Sequence, residues 1–171
     1  MSNGINLVEM QQHDIPDAVN LIKHAMNDDE ADWANMTMNY HFGCASNHLD
    51  DGRYYYVWQN DTKVVGITGL HHYNWGPKEN VWLGWFALDP DLHGMGLGHE
   101  LLDQMVLLAK EKGFKKLFIE TYMSPTFEKA RSFYQSKGFK LAGQIENYLP
   151  DGESMVVYMK ELEEAVCLIE D

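Results

Sequence analysis

The stretch from Val81 to Leu102, VWLGWFALDPDLHGMGLGHELL, constrains the fold more than any other part of the chain. It opens with a continuous apolar run, Val81 to Leu88, which reads as a central strand covered on both faces. Asp89 and Pro90 end that run, since proline cannot donate to a ladder. Three glycines follow at every second position, Gly94, Gly96 and Gly98. Leu97, Leu101, Leu102, Met105, Leu108 and Ala109 then recur at helical spacing, and Lys110, Lys112 and Gly113 close the helix in the expected order. The next segment, KKLFIETY, reads as a strand again. Strand, helix and strand in that order specify two parallel strands joined by a right-handed crossover.

The flanking segments extend this unit into an α/β (α+β) fold. INLVEM reads as a short strand. DIPDAVNLIKHAMNDDEADW reads as one helix, with Val19, Ile22 and Met26 at helical spacing, and residues 30–49 read as helix or loop. RYYYVWQ and KVVGITGLHHY are strands joined across Asn60-Asp61, a hairpin signal. SPTFEKARSFYQSKGF reads as a helix with Ser124 as N-cap, Pro125 at its first position and Gly138 as its stop. FKLAGQIENY and ESMVVYM close the order as two strands around the turn LPDGE. The expectation is a mixed, mostly antiparallel twisted sheet, with a parallel strand pair around the glycine loop and helices on both faces. Residues 1–160 are expected to form one domain, and 161–171 an acidic tail.

Composition narrows the partners. The chain has 171 residues, is 45% hydrophobic and carries a net charge of −13. Such a charge opposes nucleic acid, which is gripped by Lys and Arg, and anionic membrane surfaces. It suits a cationic substrate such as an amine, and it also serves solubility. The two cysteines, Cys44 and Cys167, are far apart and read as free thiols of a reducing compartment. No basic segment followed by an apolar run marks a signal peptide, and no apolar run is long enough to cross a membrane. A soluble cytoplasmic protein is the default expectation. Eight histidines without HxH or HExxH spacing do not make a metal site.

A strand, alternating glycines and a helix start together outline an anion site. The first amides of a helix lack intrahelical partners and carry partial positive charge, and glycine removes the Cβ that would block a phosphate. The loop has no Walker lysine, and its G-x-G-x-G spacing is not GxGxxG. Glu120 does lie about 20 residues on, which keeps a dinucleotide-binding domain open. A tight turn with no ligand is the plainer alternative.

The segment His93-Gly94-Met95-Gly96-Leu97-Gly98 resembles the phosphate loop of the GNAT superfamily of acetyl-CoA-dependent N-acetyltransferases. That loop reads Arg or Gln, two residues, Gly, one residue, then Gly or Ala. GWFALDPD is similar to the family's fourth strand. Downstream, Ala130, Tyr134, Gly138 and Phe139 match its Ala, three residues, Tyr, three residues, Gly-Phe pattern. The resemblance covers about residues 79–160, and its Tyr134–Phe139 motif argues against the dinucleotide reading. Two positions depart from the pattern. His93 replaces Arg or Gln, and Phe127 stands where many members have an Asn that contacts the pantetheine arm.

The resemblance implies acetyl-CoA as co-substrate. The backbone of Phe86, Ala87 and Leu88 would pair with its pantetheine amides, and a backbone N–H near Leu88 would stabilise the oxyanion. Amides of Gly94, Met95, Gly96, Leu97, Gly98 and His99 would hold the pyrophosphate. Tyr134 would protonate the departing thiolate. Its residue-level alternative is a core aromatic on a helix face with Phe127 and Ala130.

The acceptor amine must lose a proton before it attacks, because an alkyl ammonium has a pKa of about 10.4. Glu120 is the first candidate base. It shares a strand face with Phe118 and Tyr122, an apolar place that raises a carboxyl pKa unless the group is paired. "IET" also resembles a segment of members that acetylate protein N-termini. His71, His72 and Glu79 are secondary candidates, more simply read as satisfied strand residues. Trp33, Trp75 and Tyr148 are expected in loops that frame the acceptor, where rings would attract a cation. The leading expectation is direct acetyl transfer to a small-molecule amine or a peptide N-terminus in a ternary complex. The alternative is an acyl-CoA-binding sensor of the same fold without turnover. A homodimer is expected by analogy with the family alone.

Overall fold

The computed structural model describes residues 4–162, so Cys167 and nearly all of the acidic tail lie outside the described residues. Seven strands form one sheet in the order β1-β2-β3-β4-β5-β7-β6. They are β1 (Ile5–Glu9), β2 (Arg53–Asn60), β3 (Lys63–His71), β4 (Asn80–Leu88), β5 (Lys116–Tyr122), β6 (Lys140–Ile145) and β7 (Met155–Glu161). Four helices accompany them, α1 (Ile15–Ala25), α2 (Asp28–Ser46), α3 (Leu97–Glu111) and α4 (Glu128–Ser136). The strand order and the parallel pairing of β4 with β5, Asn80 opposite Lys116 through Trp82 opposite Phe118, match the expected mixed sheet.

The chain divides into two compact units. The first runs up to Gly76 and includes Leu83–Met105. Here β1, β2 and β3 pair antiparallel, and both sheet faces are covered. Ile15, Ala18, Leu21 and Ile22 of α1 and Ala31, Ala34 and Met38 of α2 pack on Tyr55, Val57, Ile67 and Ala87. Leu97 and Leu101 of α3 pack with Trp58, Val65 and Leu88. A bulge in β3 fits these two clusters to one strand. Trp58 pairs with Gly66 but Gln59 pairs with Val64, so Val65 is an extra residue. Val64 and Ile67 therefore join the α1–α2 cluster, while Val65 joins the α3 cluster. Gly66 beside it fits closely, since a Cβ there would lie 3.0 Å from that of Trp58.

The second unit holds Pro77–Trp82 and the residues from Val106 onward. In it β5 pairs antiparallel with β7, and β7 with β6. Along β5 burial alternates: Leu117, Ile119 and Thr121 are buried, and Phe118, Glu120 and Tyr122 lie on the more open face. Trp82 stacks on Phe118 with ring centres 5.0 Å apart.

Three expectations change. The helix read through residues 14–33 is two helices, because Asn27 caps a new one: its side chain accepts from the Glu30 amide at 2.8 Å, and Met26 leaves helical geometry. Burial of β4 is complete at Val81, Ala87 and Leu88 but only partial from Trp82 to Phe86. Ser124 stands before a 3-10 turn, Pro125–Phe127, and makes no side-chain cap. Its carbonyl accepts from Arg131 Nη1 at 3.0 Å, and the same guanidinium nitrogen reaches the Tyr122 carbonyl at 2.6 Å.

Candidate functional site

The glycine loop and the end of β4 belong to the first unit. Asp89 begins the turn with its amide on the Val65 carbonyl at 2.8 Å, so this residue faces β3. Backbone groups alternate along a strand, so Ala87 shares that edge and Phe86 and Leu88 turn theirs to the opposite edge. The Asp89 side chain accepts from the Asp91 amide at 3.0 Å and from Lys63 Nζ at 3.1 Å. Those bonds hold its carboxyl below the usual range. Gly94 and Gly96 both adopt positive φ, 78° and 76°, with Met95 on the ordinary side between them. A Cβ added at either glycine would meet nothing within 4 Å. The chain itself therefore does not need the missing side chains for packing; it needs the left-handed backbone, and the space beside it stays open. The first helical bond of α3 that follows runs from the Glu100 amide to the Gly96 carbonyl at 3.3 Å, so the amides of Leu97 and Gly98 precede it.

The exposed His93 folds its ring back onto the chain that precedes it. Its Nε2 lies 3.0 Å from the Leu88 carbonyl, and its own amide donates to the Pro90 carbonyl at 3.1 Å. A carbonyl only accepts, so Nε2 carries a proton.

Glu120 and Tyr134 belong to the second unit. Glu120 lies on the open face of β5, where the Tyr122 hydroxyl is 3.5 Å from Oε1. Partial enclosure of its head pushes the carboxyl pKa up, and the tyrosine bond opposes that. Tyr122 meets Phe127 edge-on at 5.5 Å and stacks on Tyr148 at 6.4 Å, so one carboxylate stands beside an aromatic group of three rings. Tyr134 is 7% exposed, packed against Phe133 and Phe139. Burial pushes its hydroxyl well up, so it is protonated throughout the physiological range.

The remaining candidates take other places. His71 ends β3, its ring 4.5 Å from Tyr73, and burial together with the Arg53 charge lowers its pKa to about 4. Glu79 accepts the amides of Lys115 and Lys116 on its carbonyl, a role in starting the β4–β5 pair. His72 donates its amide to the Gly52 carbonyl at 2.8 Å. Trp75 is 86% exposed and lies against Tyr73 at 5.5 Å, while Trp33 is exposed on α2. Cys44 is a free thiol.

Sequence reading missed a polar cluster in the first unit. The buried Asp51 carboxylate accepts from His41 Nδ1 at 2.8 Å and from Arg53 Nη1 at 3.0 Å, and Arg53 lies over the Tyr40 ring at 5.8 Å. Nothing in the sequence signals it, because Tyr40 and His41 come from a helix, Asp51 from a loop and Arg53 from a strand.

Solved structures with this fold include a GNAT-family protein from Desulfovibrio desulfuricans, 20% identical with TM-score 0.82, covering 93% of this chain and 99% of that one. The ribosomal-protein-S18-alanine N-acetyltransferase from Escherichia coli is 20% identical with TM-score 0.70, covering 98% and 99%. A GNAT family acetyltransferase from Elizabethkingia anophelis, solved with acetyl-CoA bound, is 21% identical with TM-score 0.70, covering 94% and 100%. No curated protein matches the chain. Residues 8–139, well over half of the chain, match the Acetyltransferase (GNAT) family. With both glycines of the loop, the parallel strand pair and the Tyr134–Phe139 motif inside that span, this chain belongs to the GNAT acetyltransferase family.

Proposed function

We propose that the protein is an N-acetyltransferase that takes acetyl-CoA and a primary amine in a ternary complex. The observation that carries this reading is the loop after β4, where two left-handed glycines leave open space just ahead of the first amides of α3. Acetyl-CoA supplies the activated acetyl thioester and a pyrophosphate suited to those amides. On this reading Gly94, Met95, Gly96, Leu97, Gly98 and His99 hold the phosphates. Phe86 and Leu88 offer the pairing groups of β4, with Ala87 aligning them.

Glu120 takes the proton of the amine. Its raised pKa and the rings beside it suit a group that first attracts an ammonium and then accepts its proton. Tyr134 stays protonated and so donates a hydrogen bond to the leaving sulfur. Its pKa lies above that of a free thiol, about 8.5, so stabilising the thiolate by that bond is its main contribution. Tyr148, stacked on Tyr122 beside Glu120, is the candidate acceptor contact. A soluble cytoplasmic setting accompanies the reading, and no helix of the described residues is long and apolar enough to cross a membrane.

Release of free CoA thiol in the presence of an amine panel tests the proposal. Amine-dependent release is expected, lowered about a hundredfold or more in Tyr134→Phe and in Glu120→Gln. The loss in Glu120→Gln should shrink at high pH, as the amine sheds its own proton near about 10.4. In the unaltered protein kcat/KM should rise with pH through a carboxyl pKa above the ordinary value of about 4.3, and Glu120→Gln should lack that limb. Tight acetyl-CoA binding with no release by any amine would sink the enzyme and leave an acyl-CoA-binding module.

A further inference from the structure

We infer that His93 is a positioning residue, a latch between the glycine loop and the end of β4 that sets the loop amides in register with the strand; its purpose rests on the acetyl-CoA reading above. The segment from Asp89 to Gly96 is held at three kinds of point. The Asp89 amide is tied to Val65, and its carboxylate to Lys63 and the Asp91 amide. The third hold is the His93 imidazole on the Leu88 carbonyl, five residues back. It falls immediately before Gly94. From there to Gly96 the backbone visits the left-handed region twice, beside open space, and Met95 between them is exposed. The latch is thus the last side-chain anchor before the most permissive stretch of the loop.

Its partner matters as much as its place. Leu88 directs its backbone groups to the edge opposite β3, the edge offered for pairing, and its side chain is buried among Trp58, Val65 and Leu101. One bond therefore fixes two things together: where the strand edge ends and where the phosphate-binding amides begin. Loops that can move lose conformational freedom when a ligand orders them, and a latch made before binding reduces that loss. This imidazole is committed to the backbone, and both the neutral Nε2–H tautomer and the imidazolium donate to the carbonyl.

The experiment compares the unaltered protein with His93→Ala and His93→Gln, whose side-chain amide can donate to the same carbonyl. On the ligand-free protein, nitrogen NMR should find the neutral His93 as the Nε2–H tautomer, and amide exchange of Gly94, Met95 and Gly96 should accelerate in the Ala variant alone. With acetyl-CoA, His93→Ala should weaken binding and raise its KM about 3- to 10-fold, the scale of one lost hydrogen bond, with kcat and Tm nearly unchanged. His93→Gln should recover most of the loss. A neutral Nδ1–H tautomer, or loop exchange and KM unmoved in His93→Ala, overturns the latch. If the unaltered protein fails to bind acetyl-CoA, the proposed function falls and with it the latch's purpose, while tautomer and exchange still decide whether the latch exists.

Discussion

Two glycines of the first unit show how residues of one type answer to different demands. Gly52 has φ +77°, and a Cβ there would sit 1.9 Å from the His72 carbonyl oxygen. Gly94 has nearly the same φ, +78°, but faces open space. Gly94→Ala should therefore cost only the left-handed strain, about 1–2 kcal/mol. Gly52→Ala adds a backbone collision and should cost clearly more than about 2 kcal/mol. Thermal unfolding of the two variants checks this, and equal shifts in Tm would refute the distinction. The sequence shows both glycines and cannot rank them, because the rank depends on what the loop at residues 72–76 brings near residue 52. Glu120 is similar. Its face on β5 was legible from alternation, but its openness was not, since the apolar neighbours suggested a more enclosed carboxylate.

At the scale of elements, legibility followed the strength of the pattern. β2, β3, β4, α3 and β5 carry clear periodicity or clear stops and lie where the sequence places them. The α1–α2 boundary did not show, because a single Asn in a run of Asn and Asp residues does the capping. α2 also lacks one apolar stripe: Ala31, Ala34 and Met38 are buried while Trp33, Met36 and Tyr40 are exposed, so its helical period is blurred. Replacing the cap tests the account of the break. Asn27→Ala should destabilise the protein by about 1 kcal/mol, and Asn27→Ser should restore most of it. Chemical unfolding at equal m-value is the measurement, and an Ala variant as stable as its parent would mean that packing of α1 and α2 alone sets the boundary.

For the whole molecule the dominant quantity is the net charge of −13. If the acceptor is an ammonium, the protein's field raises its local concentration, and salt screens that help beyond a Debye length of about 10 Å at 0.1 M. The KM of the amine should rise with ionic strength. That of acetyl-CoA, itself an anion, should fall or stay level. An amine KM indifferent to salt would mean that the acidity serves solubility only. The overall architecture was readable because one strand–loop–helix–strand unit fixes it, whereas the contacts that shape the loop, His93 on Leu88 above all, come from side-chain directions that no spacing encodes. The bulge at Val65 carries that contrast furthest. It is an insertion the fold has already absorbed, and it inverts the inside–outside parity of β3 between Val64 and Ile67. Losing one residue there would not delete a side chain so much as exchange the two sides of the strand. In this protein the length of a segment is as much a part of the code as its letters.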